Sequence, residues 1–142
     1  MHLSGWVGSV LTSFIGTWLI FDGTRAILLG SYVTPSSGRF AGQLGPWSHL
    51  IKALGLDPMS MLVKLLHIIT GVALLVAVAM LWSVPALGWW FMLGACLLGM
   101  WYLPWGTVFL VIVIVLLLTP PMRAYKQQTT GTKPIQGMES LK

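Results

Sequence analysis

Apolar residues run almost without interruption through three stretches of the chain, over about residues 3–29, 58–82 and 86–120. About 20 apolar residues in a helix cross the ~30 Å hydrocarbon core of a bilayer, so the first two stretches each predict one membrane-spanning helix. Gly30 fits the C-terminal cap of the first helix. Asp57, with a proline directly after it, fits the N-terminal cap of the second.

The third stretch is too long for one span, because a helix over all of it would measure about 52 Å. Pro104 and Gly106 interrupt it near its middle. We therefore predict a third span over about residues 86–102 and a fourth over about 105–121, each close to the minimum length for crossing. One kinked helix and a re-entrant pair of helices are the alternatives. The prediction is an all-α integral membrane domain, a four-transmembrane-helix bundle over residues 1–121.

A shorter amphipathic pattern lies between the first two spans, over about residues 46–55. A proline can begin a helix there and a glycine can end it. Apolar residues recur at helical spacing with polar residues on the other side, at Trp47, Leu50, Ile51 and Leu54. Because this segment is too short to cross, we predict an interfacial helix on the membrane surface; an irregular loop is the alternative. The side chains expected at the interface are Trp47, His49, Lys52 and Trp105.

Composition supports the membrane interpretation. The 142 residues include only 8 basic and 3 acidic side chains, so 8% are charged, against about 25% in a typical soluble domain. This excludes a soluble enzyme and a disulfide-stapled secreted domain, and the sequence carries no catalytic motif and no metal-binding cluster. The basic residues are scattered, so none of them form a run that could follow a nucleic-acid backbone. Cys96 is interpreted as a small buried hydrophobic residue, and residues 122–142 as a polar, mobile tail.

Four polar side chains fall inside the first two spans, where charged groups are costly and usually face protein or water. They are Asp22, Arg25, Lys64 and His67. Counted from the membrane face that both helix ends share, the acid and the histidine lie at similar depth and the two basic residues slightly shallower. Each helix contributes a pair at i, i+3 spacing, which shares one face. We therefore expect a polar cluster between spans one and two, with Tyr102 and Thr107 as candidate partners.

Three interpretations of this cluster stay open. It forms a clasp of ion pairs and hydrogen bonds, or a small polar cavity for a ligand, a proton or a quinone headgroup, or its side chains snorkel to the surface without pairing. A tetrapyrrole ligated by His67, with room beside Gly71, is disfavoured because six-coordinate haem needs a second axial ligand. No metal ion and no resident cofactor are predicted; a quinone is the alternative.

Small residues recur along the first span at four-residue spacing. They are Gly5, Ser9, Ser13 and Thr17, with Gly8, Thr12 and Gly16 beside them. Such stripes let helix backbones approach closely in lipid. We interpret the stripe as a helix-packing face within the protein or toward a partner; chance enrichment is the alternative.

Four spans place both termini on one side of the membrane. When all basic residues are counted, the two sides of the membrane carry equal numbers. Arg25 and Lys64 lie inside the spans, so they are left out of the count. The remaining count favours cytoplasmic termini.

The layout of about residues 5–120 resembles the DoxX-like family of small four-helix membrane proteins. The likeness rests on residues 21–25, Phe-Asp-Gly-Thr-Arg, on the Leu-Gly-Leu-Asp-Pro approach to span two, on Gly71, and on a tight third-to-fourth hairpin. That family often has a histidine in place of Asp22 and a glutamate in the second span, which here offers a lysine and a histidine. The resemblance implies a four-helix bundle in a bacterial-type plasma (inner) membrane, sometimes linked to quinone or sulfur oxidoreductases.

Two hypotheses about function follow. In the first, the protein is a non-catalytic accessory or structural subunit that packs against other membrane subunits or against itself, as the small-residue stripe and the aromatic belts indicate. In the second, it is a redox protein that interacts with a quinone or another small molecule through the polar cluster. A transporter is less favoured, because four short spans leave little room for a transport pathway. The lipid bilayer is an expected partner, and nucleic acid is not.

Overall fold

The structure, a computed structural model, describes residues 3–129, and this part of the chain is all-helical, as predicted, with no strand. Its helices in chain order are α1 (Leu3–Leu29), α2 (Trp47–Ala53), α3 (Met61–Ser83), α4 (Pro85–Gly99), α5 (Trp105–Leu117) and α6 (Pro120–Thr129). The predicted polar tail therefore begins within a helix, and its remainder, residues 130–142, lies outside the described residues.

Four of the helices form a closed ring in which α1 packs on α3, α3 on α4, α4 on α5, and α5 back on α1. Short connections make α3, α4 and α5 antiparallel to their neighbours. Residues 30–60 and the α4–α5 turn therefore meet at one end of the bundle, and the α3–α4 corner and α6 at the other. The side chains that fill the centre include Leu19, Leu74, Met92 and Leu110.

The closest approach in the bundle is between α1 and α3, and glycines make it possible. A Cβ atom on Gly71 would lie 2.5 Å from the carbonyl oxygen of Gly16, and one on Gly23 would lie 2.9 Å from Cβ of His67. The small-residue stripe lies at this face and beside α5. Its buried members are Gly5, Gly8, Ser9, Thr12 and Gly16, whereas Ser13 is half-buried and Thr17 is exposed.

The outer surface of the ring is strongly apolar. Large exposed hydrophobic side chains occur on every one of its helices, for example Phe14, Ile69, Leu97 and Val115. By length and hydropathy, α1 and α3 could each cross a membrane, whereas α4 and α5 are apolar but shorter. In the most apolar 18-residue window of each helix, 39% of α1 and 33% of α3 is buried inside the protein.

The ends of the helices differ from the predicted spans for local reasons. The second span was expected from residue 58, but α3 begins at Met61 because Ser60 is its N-cap and accepts from the backbone N–H of Val63 at 3.4 Å. Asp57 instead closes a turn by accepting from the N–H of Met59 at 2.9 Å. At the end of α1, Gly30 has φ +75°, the left-handed conformation that a C-terminal glycine provides.

Helices α4 and α5 are also shorter than the predicted third and fourth spans. Helix α4 ends at Gly99 rather than near residue 102, and the hydroxyl of Thr107 donates to the carbonyl of Met100 just beyond it, at 2.7 Å. Helix α5 ends at Leu117, and the hydroxyl of Thr119 donates to the carbonyl of Leu116 at 2.6 Å. Each hydroxyl satisfies a carbonyl group near a helix end, which allows the chain to turn there.

Helix α2 forms inside the segment predicted to be helical, but its tryptophan is not on the surface. Gly55 ends it with φ +79°, and the N–H groups of Gly55 and Leu56 bond back to Lys52 and Ile51 in a Schellman arrangement. His49 and Lys52 are exposed, and their interfacial position stays a prediction. Trp47 is 3% exposed, so its placement at the interface is corrected: this end of the bundle has a buried aromatic core that the indole completes.

Candidate functional site

Two charged residues of α1 hold the start of the loop that follows it. The carboxylate of Asp22 accepts a hydrogen bond from the backbone N–H of Val33 at 2.7 Å. The guanidinium of Arg25 donates to the carbonyl oxygens of Ser31 and Tyr32, each at 2.7 Å. Buried charges are stable only when groups of this kind satisfy them, and these bonds fold the loop back over the end of the bundle.

The predicted cluster of four polar side chains is brought to one level of the bundle but does not form a clasp. Gly23 of α1 lies against α3 at Lys64 and His67, where a Cβ atom would come within 2.9 Å of the Lys64 carbonyl oxygen. Within residues 3–129, however, no hydrogen bond or ion pair joins any two of the four side chains. The reason is that Asp22 and Arg25 use their hydrogen-bonding capacity on loop backbone, and Lys64 is only half-buried.

His67 is fully buried and is surrounded by aromatic rings. Its ring centroid lies 4.8 Å from those of Tyr32, Trp47 and Trp101, and 5.7 Å from that of Tyr102. We call His67 and these four rings the aromatic box. The rings come from the loop after α1, from α2 and from the α4–α5 turn, so the box assembles only when three separate segments meet over α3.

Hydrogen bonds fix two of the four rings. The hydroxyl of Tyr32 donates to the carbonyl of Pro58 at 3.1 Å, and the hydroxyl of Tyr102 accepts from the indole N–H of Trp18 at 2.9 Å. Burial raises the pKa of the Tyr32 phenol, and two nearby carboxylates raise it further, so this hydroxyl remains a donor at neutral pH. The indole of Trp47 is held by packing, including contacts with the other rings of the box, and it makes no hydrogen bond among the described residues.

Polar atoms without partners gather at the box. Among the described residues, Nε2 of His67, Nε1 of Trp101 and Oγ1 of Thr70 are buried and have no hydrogen-bond partner. Thr70 lies one turn from His67 on the same face of α3, and a Cβ atom on Gly99, two residues before Trp101, would contact its methyl group at 3.6 Å. Because nearly all buried polar atoms in proteins are hydrogen-bonded, three such atoms in one region are typical of a site for a polar group.

A cleft of about 400 Å³ adjoins the box. The loop before α2 forms one wall and the α4–α5 turn forms the other, and Gln43, Phe40 and Trp105 lie among the lining residues. Trp47 and Tyr102 belong both to the lining and to the box, so they separate the cleft from His67. The lining contains no Asp, Glu, Lys, Arg or His, which suits an uncharged ligand.

Several sequence-predicted residues lie outside the box. Thr107 bonds to Met100 within the α4–α5 turn, and Trp105, which is 68% exposed, lines only the far side of the cleft. Tyr102 does join His67, although its hydroxyl bonds to Trp18 and not to a charged residue. The exposed His49 and Lys52 of α2 neither line the cleft nor belong to the box.

Sequence reasoning missed three residues of the site, Tyr32, Thr70 and Trp101. Tyr32 lies in a turn-rich segment with no periodic pattern, and Trp101 is easily taken for a belt residue near a helix end. The available signal for Thr70 was its spacing, because it follows His67 by three residues and shares its helix face. Within residues 3–129, no group of three or more His, Cys, Asp and Glu side chains is arranged to hold a metal ion.

No family model, curated protein or solved structure matches the chain. The function proposed below therefore depends on the geometry of the box and the cleft.

Proposed function

We propose that the protein is an integral membrane protein in which α1, α3, α4 and α5 all cross the bilayer. The apolar outer surface of the ring supports this, because it continues from the two long helices onto the two shorter ones. Helices α4 and α5 contain 15 and 13 residues and are about 22 and 20 Å long. A bilayer adapts to short spans by thinning locally at modest cost.

We further propose that the protein binds a small, uncharged, planar molecule of the quinone type at the aromatic box. The observation that carries this proposal is the fully buried Nε2 of His67, which lies without a partner among aromatic rings and close to a cleft. Aromatic rings provide stacking surfaces for a planar ligand. A pocket with mostly apolar walls and few polar groups is the common form of a small-molecule site.

Access to His67 runs through the cleft and past Trp47. Of the two rings that separate the cleft from His67, Tyr102 is tied to Trp18 by a hydrogen bond, whereas the indole of Trp47 makes no hydrogen bond among the described residues. Trp47 is therefore the ring that can turn aside at lower cost. A cleft of about 400 Å³ can hold a substituted six-membered ring with the first part of an alkyl chain.

The test is a binding titration by calorimetry with protein in lipid nanodiscs and short-chain alkyl quinones and hydroquinones as ligands. We expect saturable binding that weakens by about tenfold or more in His67→Phe, which keeps a ring but removes both nitrogens. His49→Phe is the matched control, because His49 is exposed on α2, and it should bind as the wild type does. Equal binding by both variants, or no saturable binding by the wild type, would contradict the proposal.

A second candidate function, that of an accessory subunit, is favoured by a groove at the opposite end of the bundle. A groove of about 360 Å³ lies along α1 and α3, and its lining includes Trp6, Ser9 and Ser13 of α1 and Trp82 of α3, whose ring contacts that of Trp6. Small hydroxyl residues four positions apart are typical of places where another transmembrane helix packs closely. The occupant proposed for this groove is a single transmembrane helix of a partner subunit.

Native mass spectrometry of protein extracted from its own membrane in a mild detergent tests this second candidate. We expect a larger assembly, which Ser13→Leu disrupts by filling the groove. Val115→Leu places the same leucine side chain on an exposed face of α5 and should leave the assembly intact. A free single chain in the wild-type sample, or an assembly that tolerates Ser13→Leu, argues against an accessory subunit.

A further inference from the structure

The contact made by Nδ1 of His67 determines what Nε2 of the same ring can bind. Nδ1 lies 2.9 Å from the carbonyl oxygen of Val63, one turn earlier on α3. A carbonyl oxygen can only accept a hydrogen bond, so Nδ1 carries a proton in this contact. In a neutral imidazole the other nitrogen then has a free lone pair. Nε2 is therefore an acceptor, and no group among residues 3–129 donates to it.

The neutral form of His67 follows from its surroundings. The rings of the box enclose it completely, and no carboxylate contacts it among the described residues. The nearest acid of α1, Asp22, is bonded to Val33. An apolar enclosure without an opposite charge disfavours an imidazolium ion.

The other two unpartnered polar groups near the box are donors, so they need an acceptor. The indole N–H of Trp101 is a donor only, and the hydroxyl of Thr70 can donate as well. A ligand that suits the site must therefore donate to Nε2 of His67 and accept from a neighbour. A hydroxyl group does both, whereas a carbonyl group only accepts and would place its lone pairs against the lone pair of Nε2.

We propose that the aromatic box recognises a hydroxyl group on an uncharged planar ring, and so binds a hydroquinone in preference to the corresponding quinone. This inference rests on the proposed small-molecule function and specifies the chemical form of the ligand. It concerns binding alone and involves no electron transfer. A hydroquinone and its quinone have nearly the same size and apolar surface, so the preference originates in the hydrogen bond to His67.

The experiment compares three ligands with the same alkyl chain under anaerobic conditions: a hydroquinone, its quinone, and the dimethyl ether of the hydroquinone. The ether keeps the aromatic ring and both oxygens but has no O–H donor. Calorimetry with nanodisc-embedded protein should give a dissociation constant for the hydroquinone about tenfold lower than for the other two, because they leave Nε2 unpaired.

The outcomes separate the two proposals. If the ether or the quinone binds as tightly as the hydroquinone, the inference is wrong while the proposed small-molecule function stands. If none of the three binds saturably, both are wrong, and the polar atoms of the box serve only a structural or water-filled site. A quinone that binds more tightly than the hydroquinone would also overturn the inference.

Variants locate the source of the preference. His67→Gln presents an amide N–H donor and a carbonyl acceptor, so it should bring the affinities for hydroquinone and quinone to within about threefold of each other. His49→Gln is the matched control and should keep the wild-type preference. Trp101→Phe removes a donor that either ligand can use, so it should weaken both and leave their ratio unchanged. A preference that survives His67→Gln in protein with an unchanged thermal unfolding midpoint overturns the assignment to His67.

Discussion

Asp22 and Arg25 act on backbone groups rather than on other side chains. Between them they satisfy one N–H and two carbonyl groups at the start of the loop after α1. The next residues in that loop build one wall of the cleft, and Tyr32 contributes a ring to the box. The two charges therefore determine where the site begins, although neither of them belongs to the box.

Replacing Asp22 should show this anchoring role. Asp22→Ala removes the partner of the Val33 N–H in a part-buried hydrogen bond to a charged group, so we expect the free energy of unfolding to fall by about 1–3 kcal/mol. Asp22→Asn keeps an oxygen acceptor at the same place and should lose less. Thermal unfolding in detergent, together with limited proteolysis of residues 33–46, measures both effects. Identical losses in the two variants would contradict the role of the Val33 bond.

At the residue scale, the sequence indicates which side chains are important. It indicates less readily which groups those side chains bind. The cost of polar groups inside a span identifies Asp22, Arg25 and His67 without any structure. Their partners could not be predicted, because they are backbone groups of an irregular loop and rings from segments far apart in the chain. The burial of Trp47 could not be predicted either. An amphipathic pattern shows which side of α2 is apolar, but it does not show whether lipid or protein covers that side.

Among the elements, the contact of α1 with α3 sets the position of His67. Gly16, Gly23 and Gly71 bring the two helices close enough that the backbone of α1 lies against the His67 side chain. Close approach of this kind is typical of helix pairs in lipid, where small residues replace the hydrophobic effect as the source of tight packing.

A matched pair of glycine substitutions tests this packing. Gly71→Ala places a methyl group 2.5 Å from the Gly16 carbonyl oxygen, so the helices must separate, and we expect a loss of about 1–3 kcal/mol in the free energy of unfolding. Gly94→Ala adds the same group on α4 where nothing lies within 4 Å, and should raise stability by up to about 1 kcal/mol. Unfolding titrations in mixed micelles measure both. Equal effects would show that the contact does not limit stability.

The ring of Trp47 offers a second test at this scale. Reaction of histidine with diethyl pyrocarbonate requires access to the imidazole, and His67 is enclosed. We expect Trp47→Ala to raise the modification rate of His67 by about tenfold or more. The control Trp105→Ala, which lines the same cleft without contacting His67, should not change it. Peptide mass spectrometry gives the rates, with His49 as the internal reference, and an unchanged His67 rate in Trp47→Ala argues against this route of access.

Hydropathy and the positions of proline and glycine predict well which segments are helical. They predict less well where each helix ends. Pro104 and Gly106 lie at the beginning of α5, where they were expected to divide the third apolar stretch. The exact ends depend on single side-chain bonds, such as the Ser60 cap and the Thr119 turn. Several residues near each end could form such bonds, so the sequence alone does not choose between them.

For the whole molecule, the arrangement of four antiparallel helices predicts which segments share a side of the membrane. The loop at Gly45 lies against the α4–α5 turn at Leu103, so the proposed four-span arrangement places these two segments on one side of the bilayer. A re-entrant α4–α5 pair would instead leave that turn within the membrane. The helix lengths alone do not decide between the arrangements, because α4 and α5 are both near the lower limit for crossing.

Cysteine labelling distinguishes the two arrangements. In a Cys96→Ala background, which removes the buried native thiol, single cysteines at Ser36, Trp105 and Arg123 are treated with a membrane-impermeant maleimide in right-side-out and inverted vesicles. Four spans predict that Ser36→Cys and Trp105→Cys label from one side and Arg123→Cys from the other. A re-entrant pair predicts that Trp105→Cys labels poorly from both sides.

The central claim is that Nε2 of His67 is a buried acceptor that receives a hydrogen bond from a hydroxylated ring. Nitrogen-15 NMR of protein labelled at histidine and embedded in nanodiscs tests it directly, because the nitrogen chemical shift reports protonation and hydrogen bonding. We predict that free His67 is protonated at Nδ1 and bare at Nε2, and that an alkyl hydroquinone shifts Nε2 while both nitrogens of His49 stay unchanged. A proton on Nε2 in the free protein, or no shift at a saturating hydroquinone concentration, would contradict the account.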